Sequence, residues 1–510
     1  MLSTIEQVRL KVSKSTAAKK KSELGQFFTP ARIAWFMAGL FDRTIKNKCQ
    51  LLDAGAGVGS LSSAFLQRMV SGDFDLQQIA IDAFEIDEKL HPFLNQLPEN
   101  FGKHLDIKLR VWSDDFIEAA VNSITGSIFA EVLPKYTHAI LNPPYKKIRS
   151  DSPHRAALRQ AGIETVNLYS AFVALALLLL EERGQLVAII PRSFCNGPYY
   201  RPFREYVLER AALRHIHLFA SRNKAFKDDD VLQENIIIML ERGSPQGEVT
   251  VTTSTDDSFS DLCTYQHHYD RIVMPDDPER FIHVPTSNEC NVIEQSASVC
   301  CTLQGIGVNV STGPVVDFRL KAHLSMMHGS GTVPLLYPCH IQGWSLDWPK
   351  QESKKPNALH RNADTEKWLF PNGFYCVVRR FSSKEEKRRV VAGIVRPDNF
   401  PGLDGIGFEN HLNVFHEEKH GLPEALAYGL TVFLNTTAVD ENFRRFNGHT
   451  QVNATDLRLI KYPSRATLLQ LGEWALSCGN PTQAMIDKQF ESLGICHGFS
   501  EPFCYGMVSL

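Results

Sequence analysis

The sequence predicts an α/β fold for the first half of the chain and a separate, mixed α/β domain for the second half. Between residues 25 and 240, short apolar segments typical of strands alternate with segments of helical patterning. This alternation predicts a mostly parallel sheet with helices on both faces. Beyond residue 245, short strand-like segments, turns and scattered aromatic residues replace the alternation. We therefore expect a polar arm at 1–24, an α/β domain at 25–244 and a second domain at 245–510, whose fold the sequence does not define.

Seven apolar segments are the predicted strands of the first domain. They are rich in aliphatic residues, as expected of strands that helices cover on both faces. The last two flank a charged loop and predict an antiparallel pair at the edge of the sheet. The segments are CQLLDAG (49–55), IAIDAFEID (79–87), KLRVWSDD (108–115), THAILNPP (137–144), GQLVAIIP (184–191), HIHLFAS (215–221) and ENIIIMLER (234–242).

The composition is that of a globular protein with more than one domain. A chain of 510 residues is too long for a single hydrophobic core, so we expect two or three domains. The longest apolar run, residues 171–180, is too short to cross a bilayer and predicts a buried helix. The N-terminus has lysines but lacks the apolar region of a signal peptide, and a bacterial-type cytoplasm is the simplest expected compartment. Eleven cysteines without a CxxC pair predict neither disulfides nor a metal site.

A glycine-rich loop, DAGAGVG at residues 53–59, follows the first predicted strand. Gly55, Gly57 and Gly59 allow the backbone to approach a ligand closely, because a Cβ atom there would restrict φ or collide with the ligand. The GxGxG spacing differs from the GxGxxG of dinucleotide-binding sites. NAD-dependent enzymes, methyltransferases and plain strand–helix turns all contain such loops, so the loop alone does not choose among them.

Acidic residues follow the next two predicted strands. Glu85, with Asp87 beside it, ends the second strand and can accept hydrogen bonds from both hydroxyls of a ribose. After the third strand, Asp115 can accept from an adenine amino group, and Phe116 can supply an apolar contact or a backbone donor to the same ring. Each acid alone is more typical of a solvated loop. At consecutive strand ends, where open α/β sheets bind ligands, the series predicts a nucleoside site.

The order of five motifs resembles that of the gamma-class adenine-N6 DNA methyltransferases of bacterial type II restriction-modification systems. A further segment, FNGHTQVNATDLRLIKYP (446–463), resembles part of the C-terminal region of many such enzymes. The resemblance covers residues 25–240 well and the remainder loosely. The five motifs are GQFFTP (25–30), DAGAGVG (53–59), FEID (84–87), DDF (114–116) and NPPY (142–145).

This resemblance implies a Rossmann-like domain that uses S-adenosylmethionine as methyl donor, and a C-terminal target-recognition domain that binds DNA. It implies that Thr29 and Pro30 lie near the methionine end of the cofactor and that the glycine loop packs under it. Glu85 would hold the ribose, and Asp115 and Phe116 the adenine. The implied loop residues are Asp53, Ala54, Gly55, Gly57 and Gly59.

The NPPY motif suits the methylation of an exocyclic amine, whose lone pair is delocalised into the ring of the base. The side-chain oxygen of Asn142 and the backbone carbonyl of Pro143 can accept the two amino hydrogens and stabilise the positive charge that develops on nitrogen. Two consecutive prolines, Pro143 and Pro144, restrict the backbone and hold that carbonyl in place. We therefore expect catalysis mainly through orientation of the amine toward the methyl group.

Aromatic side chains are expected to hold the target adenine outside the duplex. Tyr145 offers a ring on which the base can stack, and a base inside duplex DNA must be flipped out to reach it. In the family a second aromatic residue, from the hairpin after the sheet, completes the sandwich. Phe226 fits that role, and closing the loop as an ordinary hydrophobic residue is an equal alternative.

Basic and polar clusters predict contacts to DNA, although each cluster is equally compatible with a solvated face. The net charge of −3 neither requires nor excludes a nucleic-acid partner, so the distribution of charge must decide. Lysines beside the NPPY motif and arginines of the second domain suit phosphate contacts, with polar residues nearby as further partners. The predicted residues are Lys146, Lys147, Arg379, Arg380, Arg444, Arg445, Thr450, Gln451 and Asn453.

The sequence thus predicts a site-specific DNA methyltransferase that acts on adenine N6 in duplex DNA and protects host DNA, with a cognate endonuclease as a separate partner. Two alternatives remain open. NPPY also occurs in enzymes that methylate ribosomal RNA or protein glutamine, although the GQFFTP motif and the large second domain disfavour them. A single chain that combines methylation and restriction is the other alternative.

Overall fold

The computed structural model divides the chain into two compact units, Met1–Asn288 and Glu289–Leu510. The residues that the structure describes are 2–15, 28–42, 49–74, 78–127, 130–220, 234–288, 293, 296, 298–383, 385–448, 450–479 and 481–492.

A nine-stranded sheet organises the described part of the first unit. Its first seven strands coincide with the seven predicted segments, which confirms the predicted α/β class. The strands are β1 (Cys49–Ala54), β2 (Gln78–Phe84), β3 (Asp106–Trp112), β4 (Tyr136–Leu141), β5 (Leu180–Pro191), β6 (Ala211–Phe219), β7 (Asn235–Arg242), β8 (Glu248–Ser254) and β9 (Cys263–His268).

The strand order of this sheet is β3-β2-β1-β4-β5-β7-β6-β8-β9, and the first five strands are parallel. The chain moves outward from β1 to β3 in one direction and from β4 to β5 in the other. β1 and β4 therefore pair at the point where the direction of winding reverses, with Leu51 opposite His138 and Leu52 opposite Ala139. In open α/β sheets this reversal leaves a crevice at the carboxyl ends of the two strands.

Helices cover both faces of the sheet and bury two hydrophobic clusters against it. The predicted buried helix is the one at Leu168–Leu179, whose side chains pack into the larger cluster. Among the described residues, no helix is both long enough and apolar enough to cross a membrane. The helices are α1 (Leu2–Ser15), α2 (Ala31–Gly39), α3 (Ser60–Val70), α4 (His91–Asn95), α5 (Leu97–Phe101), α6 (Phe116–Thr125), α7 (Pro153–Gln160), α8 (Leu168–Leu179), α9 (Arg201–Arg210) and α10 (Tyr269–Ile272).

The first unit extends beyond the boundary that the sequence suggested at residue 244. β8 pairs parallel with β6, and β9 pairs antiparallel with β8, so both strands continue the first sheet. β6 and β7 form the expected antiparallel pair but do not lie at the edge, because β8 and β9 follow them. β7 lies between β6 and β8 in the sequence. Local sequence patterns therefore do not reveal that β8 pairs with β6.

The N-terminal segment expected to form an arm contributes α1, which is tied to the start of α2. The Glu6 carboxylate accepts from the backbone nitrogen of Ala31 at 2.9 Å, and it also accepts from the buried guanidinium of Arg9. Val8 and Val12 pack against the cluster that contains Phe28. α1 therefore stabilises the backbone next to Thr29 and Pro30.

Short strands form three small sheets in the described part of the second unit. Their orders are β10-β20-β17-β18, β11-β15-β12-β19-β16 and β13-β14. The strands are β10 (Asn309–Thr312), β11 (Leu324–Ser325), β12 (Thr332–Leu336), β13 (Ile341–Gln342), β14 (Ser345–Leu346), β15 (Ala358–His360), β16 (Leu369–Pro371), β17 (Tyr375–Arg379), β18 (Ala392–Val395), β19 (Gly405–Phe408) and β20 (Leu412–His416).

Two glycines allow helices of the second unit to cross in direct contact. A Cβ atom at Gly429 would lie 1.8 Å from the carbonyl oxygen of Leu468, and one at Gly472 would lie 1.7 Å from that of Ala425. The crossing joins α11 and α14. The helices of this unit are α11 (Glu424–Leu434), α12 (Thr437–Phe446), α13 (Ala454–Leu459), α14 (Arg465–Cys478) and α15 (Gln483–Phe490).

We predict that Gly429→Ala and Gly472→Ala each destabilise the protein by about 1–3 kcal/mol, because the added methyl group must push the two helix backbones apart. Thermal unfolding of the purified variants measures the change. Gly329→Ala is the matched control, because a Cβ atom there meets nothing within 4 Å. Unfolding midpoints of the helix variants that match the control would contradict the close crossing.

Candidate active site

The glycine loop and the NPPY motif meet at the carboxyl ends of β1 and β4. A Cβ atom at Gly55 would lie 3.7 Å from the backbone oxygen of Asn142, which shows how closely the two segments approach. Gly57 has φ +58°, and a Cβ atom there would lie 3.1 Å from the ring of Phe28. Glycine is therefore required at position 57 both by backbone conformation and by the packing of Phe28 on the loop.

A cavity opens above these strand ends, and nine of the residues predicted from the sequence line it: Thr29, Gly55, Gly57, Glu85, Asp115, Phe116, Asn142, Pro144 and Lys146. In the described part of the chain, the other predicted residues of this region lie outside the cavity wall. They are Pro30, Asp53, Ala54, Gly59, Pro143, Tyr145 and Lys147. Phe226 lies outside the described residues.

Asp53 is a buried carboxylate at the end of β1. Its Oδ2 accepts from the backbone nitrogen of Ser62 at 3.2 Å and from the Ser62 hydroxyl at 2.6 Å. Its Oδ1 is buried without a hydrogen-bond partner among the described residues. Burial raises the pKa of Asp53 from 3.8 to about 7, and the bonds from Ser62 oppose this shift.

Glu85 links the end of β2 to the glycine loop. Its Oε2 accepts from the backbone nitrogen of Gly57 at 2.8 Å, and its Oε1 accepts from that of Asp87 at 2.8 Å. Burial raises the pKa of Glu85, while the two backbone donors act in the opposite direction. Each carboxylate oxygen retains a lone pair, so the group can accept two further hydrogen bonds.

Asp115 is the N-cap residue of α6 and also faces α7. Its Oδ1 accepts from the backbone nitrogen of Ile117 at 2.8 Å, which caps the helix. Its Oδ2 lies 3.2 Å from Nε2 of His154, the second residue of α7. Phe116 packs between Phe84 and Phe172, at centroid distances of 5.1 Å and 5.0 Å. The cavity therefore has a polar corner at Asp115 and an apolar wall beside it.

The Asn142 side chain is fixed at both ends of its amide. Nδ2 donates to the Thr29 hydroxyl at 2.9 Å, and the Tyr145 hydroxyl donates to Oδ1 at 3.1 Å. The same hydroxyl lies 3.1 Å from the backbone oxygen of Ile189, and because it has one hydrogen it donates to one acceptor at a time. Thr29, 113 residues away in sequence, and Tyr145 of the same motif thus orient this amide at the cavity wall.

Tyr145 is half-buried. Its ring lies edge-on to Tyr169, with a centroid distance of 6.2 Å and an interplanar angle of 87°. Burial raises the pKa of the Tyr145 hydroxyl far above its ordinary value, so the hydroxyl remains a donor at neutral pH. Its neighbours Lys146 and Lys147 are exposed.

Several lining residues were not identified from the sequence. His154 lies on a helix without a recognised motif, and only the fold brings it to Asp115. Ile86 is 53% exposed at the cavity wall. Its position between Glu85 and Asp87 in the sequence could have indicated that it lies at the site. The apolar lining residues cannot be distinguished in the sequence from residues of the hydrophobic core. The remaining unpredicted lining residues are Phe28, Ala56, Val58, Ser60, Leu61, Phe84, Asp114, Leu168 and Phe172.

In the second unit, several of the predicted arginines take part in internal contacts. Arg379 pairs with Glu386 at 3.0 Å, Arg444 with Asp440 at 2.7 Å, and Arg380 donates to the backbone oxygen of Asn410. Arg389, in the same basic run, is buried and bonds to Ser382 and Asn447. Charge in the sequence did not reveal these partners.

The predicted polar residues of the second unit lie near one surface feature. The backbone oxygen of Thr450 accepts from the backbone nitrogen of Ser382, and Gln451 forms an isolated antiparallel β-bridge with Phe381. Asn453 caps α13. Phe381 is 40% exposed, and its ring lies 4.9 Å from that of His411. An exposed aromatic pair next to Thr450 and Gln451 forms a mixed aromatic and polar surface.

Comparison with known proteins gives two relatives that match almost the whole chain. The Eco57I restriction-modification methylase family matches residues 64–226. Type II methyltransferase M.BsuBI of Bacillus subtilis is 52% identical over 97% of this chain and 98% of its own length. Type II methyltransferase M.PstI of Providencia stuartii is 42% identical over 95% of each. A solved DrdV–DNA complex aligns with 93% of this chain and 59% of its own, at 13% identity and a TM-score of 0.48.

We predict that Asp53→Asn changes the pH dependence of stability. Because the folded carboxyl binds its proton more tightly than the unfolded one, protonation of Asp53 favours folding, and this contribution declines as pH rises from about 4 to about 7. Relative to the variant, the wild type should lose up to about 4 kcal/mol of unfolding free energy across that window. Denaturant unfolding at several pH values measures the difference, and parallel curves for the two proteins would refute it.

Proposed function

The chain belongs to the type II DNA methyltransferases of restriction-modification systems, and we propose that it transfers a methyl group from S-adenosylmethionine to the N6 amine of a flipped-out adenine in duplex DNA. The observation that carries this proposal is the fixed amide of Asn142 at the cavity wall. Its nitrogen donates to the Thr29 hydroxyl and its oxygen accepts from the Tyr145 hydroxyl.

Asn142 and Pro143 accept the hydrogens of the adenine amine. A carbonyl oxygen has two lone pairs, so Asn142 Oδ1 can accept from the amine while it accepts from Tyr145. The backbone carbonyl of Pro143 accepts a hydrogen bond from the second amine hydrogen. The rings of Pro143 and Pro144 limit the movement of this carbonyl. Acceptance at two fixed oxygens localises the nitrogen lone pair and stabilises the charge that develops during attack.

The cavity residues suit S-adenosylmethionine. The free acceptor positions of Glu85 match the two ribose hydroxyls, and Asp115, Phe116 and Ile86 offer a polar and apolar setting for the adenine. Asp53 lies outside the cavity wall and accepts from Ser62, so it would support the glycine loop next to the amino-acid end of the cofactor. When bound, this cofactor supplies an electrophilic methyl group on a sulfonium.

DNA contacts are proposed at two places. The target adenine stacks on Tyr145 after leaving the duplex, with Phe226 as the second aromatic residue and with Lys146 and Lys147 binding phosphate. In the second unit, Thr450 and Gln451 with the Phe381–His411 pair contact DNA directly. The guanidinium groups of Arg379, Arg380, Arg444 and Arg445 add phosphate contacts, and Asn453 adds a hydrogen bond to DNA.

The biological role we propose is protection of host DNA against a separate cognate endonuclease. The proposed reaction is tested by incubating the protein with methyl-labelled S-adenosylmethionine and diverse duplex DNA, then digesting the DNA to nucleosides. Label in N6-methyladenine is the expected result. Label in a cytosine product, or no label in DNA, would refute it.

We predict that Asn142→Ala lowers the methyl-transfer rate by at least about 100-fold, because the amine loses an acceptor that acts mainly in the transition state. The affinity for S-adenosylhomocysteine, measured by calorimetry, should change by less than about threefold. Asn100→Ala, which removes an exposed asparagine, is the matched control. Transfer at the control's rate would contradict the assigned role of Asn142.

The two functions proposed for Tyr145 predict different effects of two substitutions. Tyr145→Phe keeps the ring and loses the hydroxyl that orients Asn142, and it should slow single-turnover transfer by about tenfold. Tyr145→Ala should slow transfer further, because base stacking is lost as well. Tyr199→Phe, at a tyrosine that is 77% exposed, serves as control. Equal rates for Tyr145→Phe and Tyr145→Ala would show that the ring does not contribute.

A further inference from the structure

The segment between NPPY and α8 folds back on itself. The backbone nitrogen of Ile148 donates to Val166 at 2.8 Å, and that of Leu168 donates to Lys146 at 2.8 Å, which closes its base. Ile148, Leu158 and Ile163 are buried in the large hydrophobic cluster. These contacts fix the position of α7, which lies within this segment.

α7 presents His154 to the cavity. Ser152 caps the helix by accepting from the backbone nitrogen of Arg155, and Pro153 occupies its first position. His154 follows, with its Nε2 3.2 Å from Oδ2 of Asp115, and both residues line the cavity. The segment between NPPY and α8 thus contacts the start of α6 through His154 and Asp115.

The two oxygens of Asp115 have different partners. Oδ1 accepts from the backbone nitrogens of Ile117 at 2.8 Å and Glu118 at 3.3 Å, so the start of α6 uses it. Oδ2 is therefore the oxygen better placed to serve a ligand. An imidazole N–H that donates from Nε2 occupies one lone pair of Oδ2 and leaves the other. His154 thereby restricts the direction in which Asp115 can accept a further hydrogen bond.

We propose that His154 is a positioning residue that sets the selectivity of the cofactor pocket for the 6-amino group of adenine, acting through Asp115. This inference rests on the proposed function, because it requires the adenosyl group to bind beside Asp115. The 6-amino group donates to Oδ2. A hypoxanthine ring has an oxygen at that position, which faces the carboxylate as a second acceptor and leaves Oδ2 without its ligand donor.

The test compares two ligands that differ at this position, S-adenosylhomocysteine and S-inosylhomocysteine, by calorimetric titration of the full-length protein. The wild type should prefer the adenosyl ligand by about tenfold or more. His154→Ala should weaken adenosyl binding by about five- to tenfold and inosyl binding by less than twofold, so the preference falls sharply. His154→Gln, which restores a donor, should recover part of the preference. His104→Ala, at an exposed histidine, should behave as wild type.

Each other outcome has a defined meaning. Equal weakening of both ligands by His154→Ala would assign His154 a structural role and overturn the inference, as would unchanged affinities. A wild type that binds neither ligand would refute the proposed cofactor itself, and the inference would fall with it. If His154→Ala does not fold by circular dichroism, the ligand preference of His154→Gln decides. Equal weakening of both ligands by His154→Gln, or affinities unchanged from the wild type, would overturn the inference.

Discussion

The parallel pairing of β1 with β4 is the constraint on which the candidate site depends. The chain winds outward in opposite directions from these two strands, so their carboxyl ends adjoin without a helix between them. The glycine loop leaves one strand and NPPY leaves the other. Two segments about 90 residues apart in sequence are therefore held within van der Waals distance by backbone hydrogen bonds of the sheet. Hydrogen bonds with Thr29 and Tyr145 then orient the Asn142 amide at this junction.

The site also depends on buried polar groups that are hydrogen-bonded within the protein. Glu85 accepts from Gly57, which couples the position of the second strand to the conformation of the glycine loop. Asn142 is held by Thr29, and α1 supports that region through the bond from Ala31 to Glu6. Such interactions stabilise oriented acceptors before a ligand arrives, so little reorganisation is needed on binding.

Sequence reasoning was effective where the fold is governed by local patterns. The apolar segments gave β1 to β7, and the order of strand-end motifs indicated which residues would surround a cavity. It was less effective where partners are distant in sequence. Leu335 on β12 pairs with Gly407 on β19, and the buried Arg389 is hydrogen-bonded to Ser382 and Asn447. No local sequence pattern indicates either contact. His154 is a further case, because a polar helix carries it and tertiary folding alone brings it to Asp115.

The central claim is that one site at the ends of β1 and β4 receives both the methyl donor and the target base. A crystal structure of the protein with S-adenosylhomocysteine and duplex DNA tests this claim most directly. The account predicts an extrahelical adenine whose amine lies within hydrogen-bond distance of Asn142 Oδ1 and the Pro143 carbonyl, with the cofactor product in contact with Glu85 and Asp115. An adenine that stays in the duplex, or a cofactor product bound away from these residues, would contradict it.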